Sequence, residues 1–407
     1  MLKTVCSNMN AHASSSGAAI SGLNSFPRGS DDDYMVRAIE LASKASGRTS
    51  PNPLVGCVIV GEDGDIVGEG WHRKAGDGHA EVEALKTAGE LAIGSTAYIS
   101  LEPCNHFGRT PPCTHALIKA GIKRVVAGMV DPDSRVSGKG LSYLKEKGLD
   151  VKVGTQEKAC QSLNAPFIYR VLHNSSYLTI WTNEKVAHNR GDDVKIFLRD
   201  VFMRQLRNSV PNSVDTIILT LNQIFEIKSR LLNSKISAQN DNIASIFQNI
   251  PDYITIVIAD IEEDYDKYEY EQSNRNSIEF GKSRLASARK LLKQIKEKKN
   301  GNNLILILQN NTSSISEKIE INGIKEIIIP NNFVTLESAL NTTSKEGCNS
   351  AICLVQNHTL IKQMIKNNTC QRIWVNNAKD SSESHSFIDN SFTLINDELW
   401  EKKCWTP

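Results

Sequence analysis

The chain has little of several things that would mark particular functions. Its 47 Lys and Arg nearly balance its 46 Asp and Glu, for a formal charge of +1. No global field therefore draws it to nucleic acid or to an anionic membrane. Aromatic residues make up 6% of the 407, few for a protein that stacks flipped bases on aromatic platforms. No apolar run approaches the roughly 20 residues of a membrane-spanning helix. The nine cysteines are odd in number and scattered along the chain. That argues against a disulfide framework and for a reducing compartment, and it leaves cysteines free for metal or catalysis. Residues 1–30 contain no Asp or Glu and seven Ser, with Lys3 and Arg28 as their basic residues. This acid-poor leader reads either as a plastid transit peptide or as the disordered leader of a cytoplasmic protein.

What remains is ordinary for a globular protein, 40% apolar and 23% charged, and long enough for two domains. Ser30 or Asp31 is placed to cap a helix through Met35, Ala38, Ile39 and Ala42 that Gly47 can end. Leu54 to Val60 and Ile66 to Trp71, joined by Glu62-Asp63-Gly64-Asp65, form a hairpin. Helices are expected over Ala80 to Leu91, Thr114 to Ala120 and Leu141 to Lys147, and strands over Ala97 to Leu101, Arg124 to Val130 and Val151 to Val153. Strands alternating with helices after a hairpin predict a sheet covered on both faces. Composition then shifts: residues 31–173 hold 3 Asn and residues 174–407 hold 29. The later part carries Ile-rich runs such as Leu304 to Leu308 and Ile327 to Ile329, which read as buried strands, and a charged stretch with Leu285, Leu291, Leu292 and Ile295 at helical spacing. The division is leader 1–30, a first domain 31–173 and a second domain 174–407.

One constellation carries chemistry. His79-Ala80-Glu81 opens a predicted helix, Pro103-Cys104 follows a strand, and Cys113 opens another helix with eight residues between the cysteines. One His and two Cys give Zn²⁺ three protein ligands and leave a fourth position for water, the ligand count of a catalytic site. Zinc lowers the pKa of that water toward neutrality. Glu81, two residues past the ligand His, lies on a different face of the helix start, suited to move protons without binding metal. Zinc deaminases divide the labour in this way, with the same His-x-Glu and Pro-Cys elements.

The surrounding residues resemble the deaminase domain of the RibD family of riboflavin biosynthesis: Ser50-Pro51-Asn52-Pro53-Leu54-Val55-Gly56, Gly70-Trp71-His72, Ala75-Gly76, and Glu102-Pro103-Cys104 through Pro112-Cys113. Asp131-Pro132-Asp133, Gly138-Lys139-Gly140, Asn164 and Phe167 continue the likeness, which covers about residues 31–173. Cytidine and tRNA-adenosine deaminases place two residues between the cysteines. The eight-residue insert Asn-His-Phe-Gly-Arg-Thr-Pro-Pro therefore discriminates within the superfamily. Gly78 departs from the family's usual Pro without removing a functional group.

The resemblance implies a cytidine-deaminase-like three-layer α/β/α sandwich. It implies hydrolysis of 2,5-diamino-6-(5-phosphoribosylamino)pyrimidin-4(3H)-one to the 5-aminouracil and ammonia, by zinc with Glu81 as proton shuttle. Matching positions imply that Asn52 holds the pyrimidine or ribose, that His72, Lys74 and His106 contact polar groups of the substrate, and that Arg109 meets its phosphate. It also implies a homo-oligomer. Cys57 and Cys160 read as structural.

The second domain resembles the family's dihydrofolate-reductase-like α/β domain in outline only. Tyr177-Leu178-Thr179, Val214 to Leu219, Leu354 to Leu360 and Arg372 to Val375 match its strands. The Lys-x-Ala-x-Ser-Leu-Asp-Gly expected within Ile180 to Ala187 is missing, as are the Gly-Thr and Asp-Asp-Pro elements expected after Leu219. Asn357 and His358 stand where paired glycines let a backbone approach cofactor phosphates. The expectation is a degenerate domain that binds no NADPH, with the product passing to a separate reductase. The alternatives are a bifunctional deaminase–reductase, a nucleic-acid base deaminase, which the charge and aromatic content disfavour, and a non-catalytic binding protein, for which an intact Glu81 has no use.

Overall fold

The computed structural model describes residues 29–107, 111–134, 136–183, 214–221, 223–224, 250, 252–259, 261, 277–298, 304–310, 317–321, 323–330, 334–355, 361, 364, 369–376 and 385–389. Most of the leader, Arg109, Asn357, His358 and the stretch 184–187 lie outside the described residues.

Helix α1 (Asp31–Ser43) starts at Ser30, whose Oγ accepts from the Asp33 backbone N–H at 3.3 Å while the Asp33 carboxylate accepts from the Ser30 N–H at 2.8 Å. This reciprocal cap satisfies two otherwise orphaned donors. The helix ends at Ser43, and turns 44–47 replace the expected continuation to Gly47. Strands β1 (Gly56–Val60) and β2 (Ile66–Trp71) form the expected hairpin. Helix α2 (Ala80–Ala88) stops three residues short of Leu91, because Gly89 at φ 56° leaves the helical region and a single 3-10 turn follows. The unit continues through β3 (Thr96–Ile99), α3 (Cys113–Lys119), β4 (Arg124–Ala127), α4 (Lys139–Glu146) and β5 (Asp150–Val153). Two further helices, α5 (Glu157–Leu163) and α6 (Ala165–His173), complete the unit. Cys160 is the buried residue of the first; the second is amphipathic, buries Pro166 and packs Ile168 against the core.

The five strands order β2-β1-β3-β4-β5, antiparallel at the hairpin end and parallel from β3 onward. Alternation puts Cys57, Ile59, Ala97, Ile99 and Val125 on one face with Ala80, Ala84, Leu117 and Leu144 of α2, α3 and α4. Val58, Val60, Tyr98 and Val126 face α1 through Tyr34, Met35, Ala38 and Leu41. The result is the three-layer α/β/α sandwich. Helix α2 lies tight against β2, where a Cβ on Gly70 would overlap backbone atoms of Ala80 and Ala84.

A second sheet shares no strand with the first. It holds β6 (Tyr177–Asn183), β7 (Thr216–Thr220), β8 (Thr255–Ala259), β9 (Leu304–Asn310), β10 (Glu317–Ile321), β11 (Ile324–Pro330), β12 (Ser350–Leu354), β13 (Arg372–Asn376) and β14 (His385–Asp389), in the order β10-β11-β9-β8-β7-β12-β6-β13-β14. Its interior pairings are parallel and its two outermost antiparallel. Helix α7 (Ser277–Lys298) covers one face with Ala288, Leu291, Leu292 and Ile295, and α8 (Leu336–Lys345) the other with Leu336, Ala339 and Leu340. Among the described residues no helix is long and apolar enough to cross a membrane.

Asp31 ties α1 to the sheet. Its carboxylate accepts two bonds from Arg124 at 2.9 Å, one from Lys152 at 2.8 Å and one from the Tyr98 hydroxyl at 2.8 Å. Arg124 foremost, then Lys152 and Tyr98, hold this carboxyl well below the usual carboxylate range against the opposing effect of burial. A depressed folded pKa makes the ionised form the stabilising one. Its contribution is complete above the unfolded value of about 3.9 and is lost as pH falls through the folded value. Asp31→Asn should therefore unfold at lower denaturant than the parent at pH 7, with the gap closing below about pH 4; urea titrations at both pH values test this.

Candidate metal centre

His79, Cys104 and Cys113 come from three separate segments: the N-cap of α2, the loop after β3 and the first residue of α3. His79 Nδ1 lies 3.2 Å from Cys113 Sγ and 3.5 Å from Cys104 Sγ, and all three donor atoms fall within 4.8 Å of one another. Zinc–nitrogen and zinc–sulfur bonds of about 2.0 and 2.3 Å at a tetrahedral angle separate N from S by about 3.5 Å. The donor set and its spacing fit Zn²⁺. The Cys113 backbone N–H donates to Cys104 Sγ at 3.4 Å. The Cys104 thiol is lowered to about 4, first by a hydrogen bond from the Cys113 thiol and then by His79 and that N–H, against burial. A sulfur that favours the thiolate form is a sulfur ready for metal.

Glu81 sits one helical step inside, 3% exposed. Burial first, then the negative Cys104, push its carboxyl up to about 7. Its neighbour Cys57 is fully buried, with its thiol pushed up by desolvation; it packs in the sheet as expected.

Asn52 lies on the loop that leads into β1, and His72 follows β2. The Gly78 carbonyl can only accept, so His72 Nδ1–H donates to it at 3.0 Å, and the unprotonated Nε2 accepts from Asn52 Nδ2–H at 3.0 Å. Burial lowers the His72 pKa and keeps the ring neutral. Both ring nitrogens are engaged within the protein, and the residue is 4% exposed. It joins Asn52 to the residue before the metal ligand. Lys74 and His106 are exposed on their loops. Burial pushes the Asp131 carboxyl up, and His106 lies near enough to oppose that in small part. Arg109 is outside the described residues.

Glu102 had no assigned role in the sequence. It is 5% exposed and accepts from the backbone N–H groups of Asp131 at 3.1 Å, Gly138 at 2.8 Å and Gly140 at 2.9 Å. The carboxylate thus binds loop 131–140 to the strand end that delivers Cys104. Asn164 does the same for the other side, accepting from Leu54 N–H at 2.8 Å and donating to Leu54 O at 2.9 Å. A buried Glu directly before Pro-Cys was the available signal for the first; the second required the fold.

The family pattern of the cytidine and deoxycytidylate deaminase zinc-binding region matches residues 28–129. The chain is 59% identical over 150 residues to the chloroplastic riboflavin biosynthesis protein PYRD of Arabidopsis thaliana, covering 37% of this chain and 35% of that protein. It is 56% identical over 141 residues to the diaminohydroxyphosphoribosylamino-pyrimidine deaminase of Buchnera aphidicola subsp. Schizaphis graminum, covering 35% of this chain and 95% of that protein. The matched region thus spans little more than a third of the Arabidopsis protein. Among solved structures, Acinetobacter baumannii RibD, form 1, is similar across both sheets, with a TM-score of 0.58 at 26% identity over 86% of this chain and 88% of that one.

Two substitutions separate metal binding from proton transfer. Cys104→Ala should lose zinc, read as metal per chain by atomic absorption, whereas Glu81→Gln should keep it.

Proposed function

The chain belongs to the RibD-type family of diaminohydroxyphosphoribosylamino-pyrimidine deaminases, and on that premise we propose that it hydrolyses the 2-amino group of a phosphoribosylaminopyrimidine, releasing ammonia. The observation that carries this reading is the buried Glu81 beside a three-donor cluster sized for Zn²⁺. His79, Cys104 and Cys113 are the proposed metal ligands. When bound in such a site, zinc supplies an acidified water at the open fourth position.

The chain's own groups supply the rest. A carboxyl with its pKa near 7 accepts and returns a proton at neutral pH with little penalty in either direction. Glu81 takes the proton of the attacking water and passes it to the ring nitrogen next to the reacting carbon. Once the carbon–oxygen bond has formed, Glu81 takes the second proton from the newly attached hydroxyl and delivers it to the amine as the carbonyl forms and the carbon–nitrogen bond breaks. Burial of Glu81 excludes bulk water that would compete for that proton. Asn52, oriented through His72, binds the base or ribose. Lys74 and His106, exposed on their loops, together with Arg109, meet the phosphoribosyl end.

In this reading residues 31–173 form the deaminase and residues 174–407 a reductase-like unit without reductase activity. Side chains at Asn357 and His358 stand in place of a glycine pair, which supports that assignment. The product then leaves for a separate reductase, and the chain assembles as a homo-oligomer as its family likeness implies. The purified protein should release ammonia from the ribosylaminopyrimidine and leave NADPH unoxidised when given the deaminated product. NADPH consumption would establish the bifunctional alternative. Glu81→Gln should lower kcat by about a thousandfold or more; turnover close to the parent would refute the proton-shuttle role.

A further inference from the structure

Among the described residues the second unit touches the first at Arg48 through Tyr253 and at Tyr169 through Tyr177, and its hydrogen bonds reach the loop carrying Asn52. Asp215 lies just before β7, fully buried. Its carboxylate accepts from the Asn349 N–H at 2.8 Å, from the Ser350 N–H at 3.2 Å and from the Thr216 hydroxyl at 2.8 Å, all within its own unit. It also accepts from the hydroxyl of Ser50, which belongs to the other. Asn349, just before β12, donates from Nδ2 to the Asn52 carbonyl at 3.3 Å. Its Oδ1 accepts from Arg170 Nε at 2.5 Å, and Arg170 Nη2 donates to the Pro51 carbonyl at 2.9 Å. Three consecutive residues of the loop, Ser50, Pro51 and Asn52, are thus held from beneath by Asp215, Arg170 and Asn349.

The same loop leads upward to the metal centre. The Asn52 side chain donates to His72, and His72 donates to the carbonyl of Gly78, the residue before His79. A continuous run of hydrogen bonds joins a buried carboxylate of the second sheet to the backbone entering α2. The seam retains a cavity of about 30 Å³ lined in part by Ser50, Asn52, Asn164, Asp215 and Asn349.

We infer that the second unit acts as a clamp on the active-site loop, with Asp215 and Asn349 as positioning residues for Asn52 and His72 in the deamination. The inference rests on the deaminase reading above. It gives the second unit a task that needs no cofactor. Neither residue touches substrate; both act through residues 50–52. A side chain displaced by an ångström in an active site forfeits much of the gain from orientation.

The test uses the full-length zinc-loaded protein and two variants. Asn349→Ala removes the bond to the Asn52 carbonyl. Ser50→Ala breaks the bond to Asp215 while leaving every hydrogen bond inside the second unit, so it remains informative if Asn349→Ala folds poorly. Both should lower kcat/KM for ammonia release by about tenfold, with zinc content unchanged. Hydrogen exchange read by mass spectrometry should quicken at the amides of Ser50 and Asn52 and stay at parental rates in β7, β8 and β12. Parental kcat/KM and loop exchange in both variants would overturn the inference. So would quickened exchange spread evenly over the second sheet, the mark of simple destabilisation. An unmodified protein that releases no ammonia would strike the deaminase reading instead, with loop exchange in the variants still deciding whether the clamp exists.

Discussion

Three donor atoms from segments 25 and 9 residues apart must meet within 4.8 Å, and the first sheet is organised so that they do. The requirement is costly without metal, because the two sulfurs carry like negative charge once they are ready to bind. The fold meets it with backbone. Helix α2 begins at His79 because the backbone of β2, bare at Gly70, lets the helix lie on the sheet. Cys113 begins α3 and offers its own N–H to Cys104. Glu102 collects three N–H donors of loop 131–140 and fixes the strand end from which Cys104 projects.

The environment that brings the ligands together also tunes Glu81. Desolvation beside a negative sulfur raises its carboxyl towards neutrality, where one group can act in turn as base and acid. Burial penalises the charged form of His72 as well, and there it lowers the pKa. The ring stays neutral, fixed in one tautomer by a carbonyl that can only accept.

The second sheet is built on different terms. Its interior strands are parallel and apolar on both faces, covered by α7 and α8. A buried sheet of this kind is expensive to maintain as an ornament. Of its buried polar groups, Asp215, Asn349 and Ser350 form one cluster, and Asp215 and Asn349 of that cluster bond to the first unit. Side chains of that chemistry are retained where they hold something in place.

Residue order alone determined the candidate metal set and the alternation of strands and helices around it. Ligand chemistry is local in spacing, and apolar alternation in Val58, Ile59, Val125 and Val126 states directly which faces are covered. The pattern could not reveal the stop of α2 at Gly89, where backbone torsion decides. Nor could it foresee that both ring nitrogens of His72 are engaged within the protein, since a histidine seven residues before a candidate ligand has the same letter whether it meets substrate or a carbonyl. The link from Asp215 through Ser50 and Asn52 to His72 joins residues up to 165 positions apart. Only tertiary structure brings such groups together, because hydrogen bonds depend on distance and direction in space and leave no period in the chain.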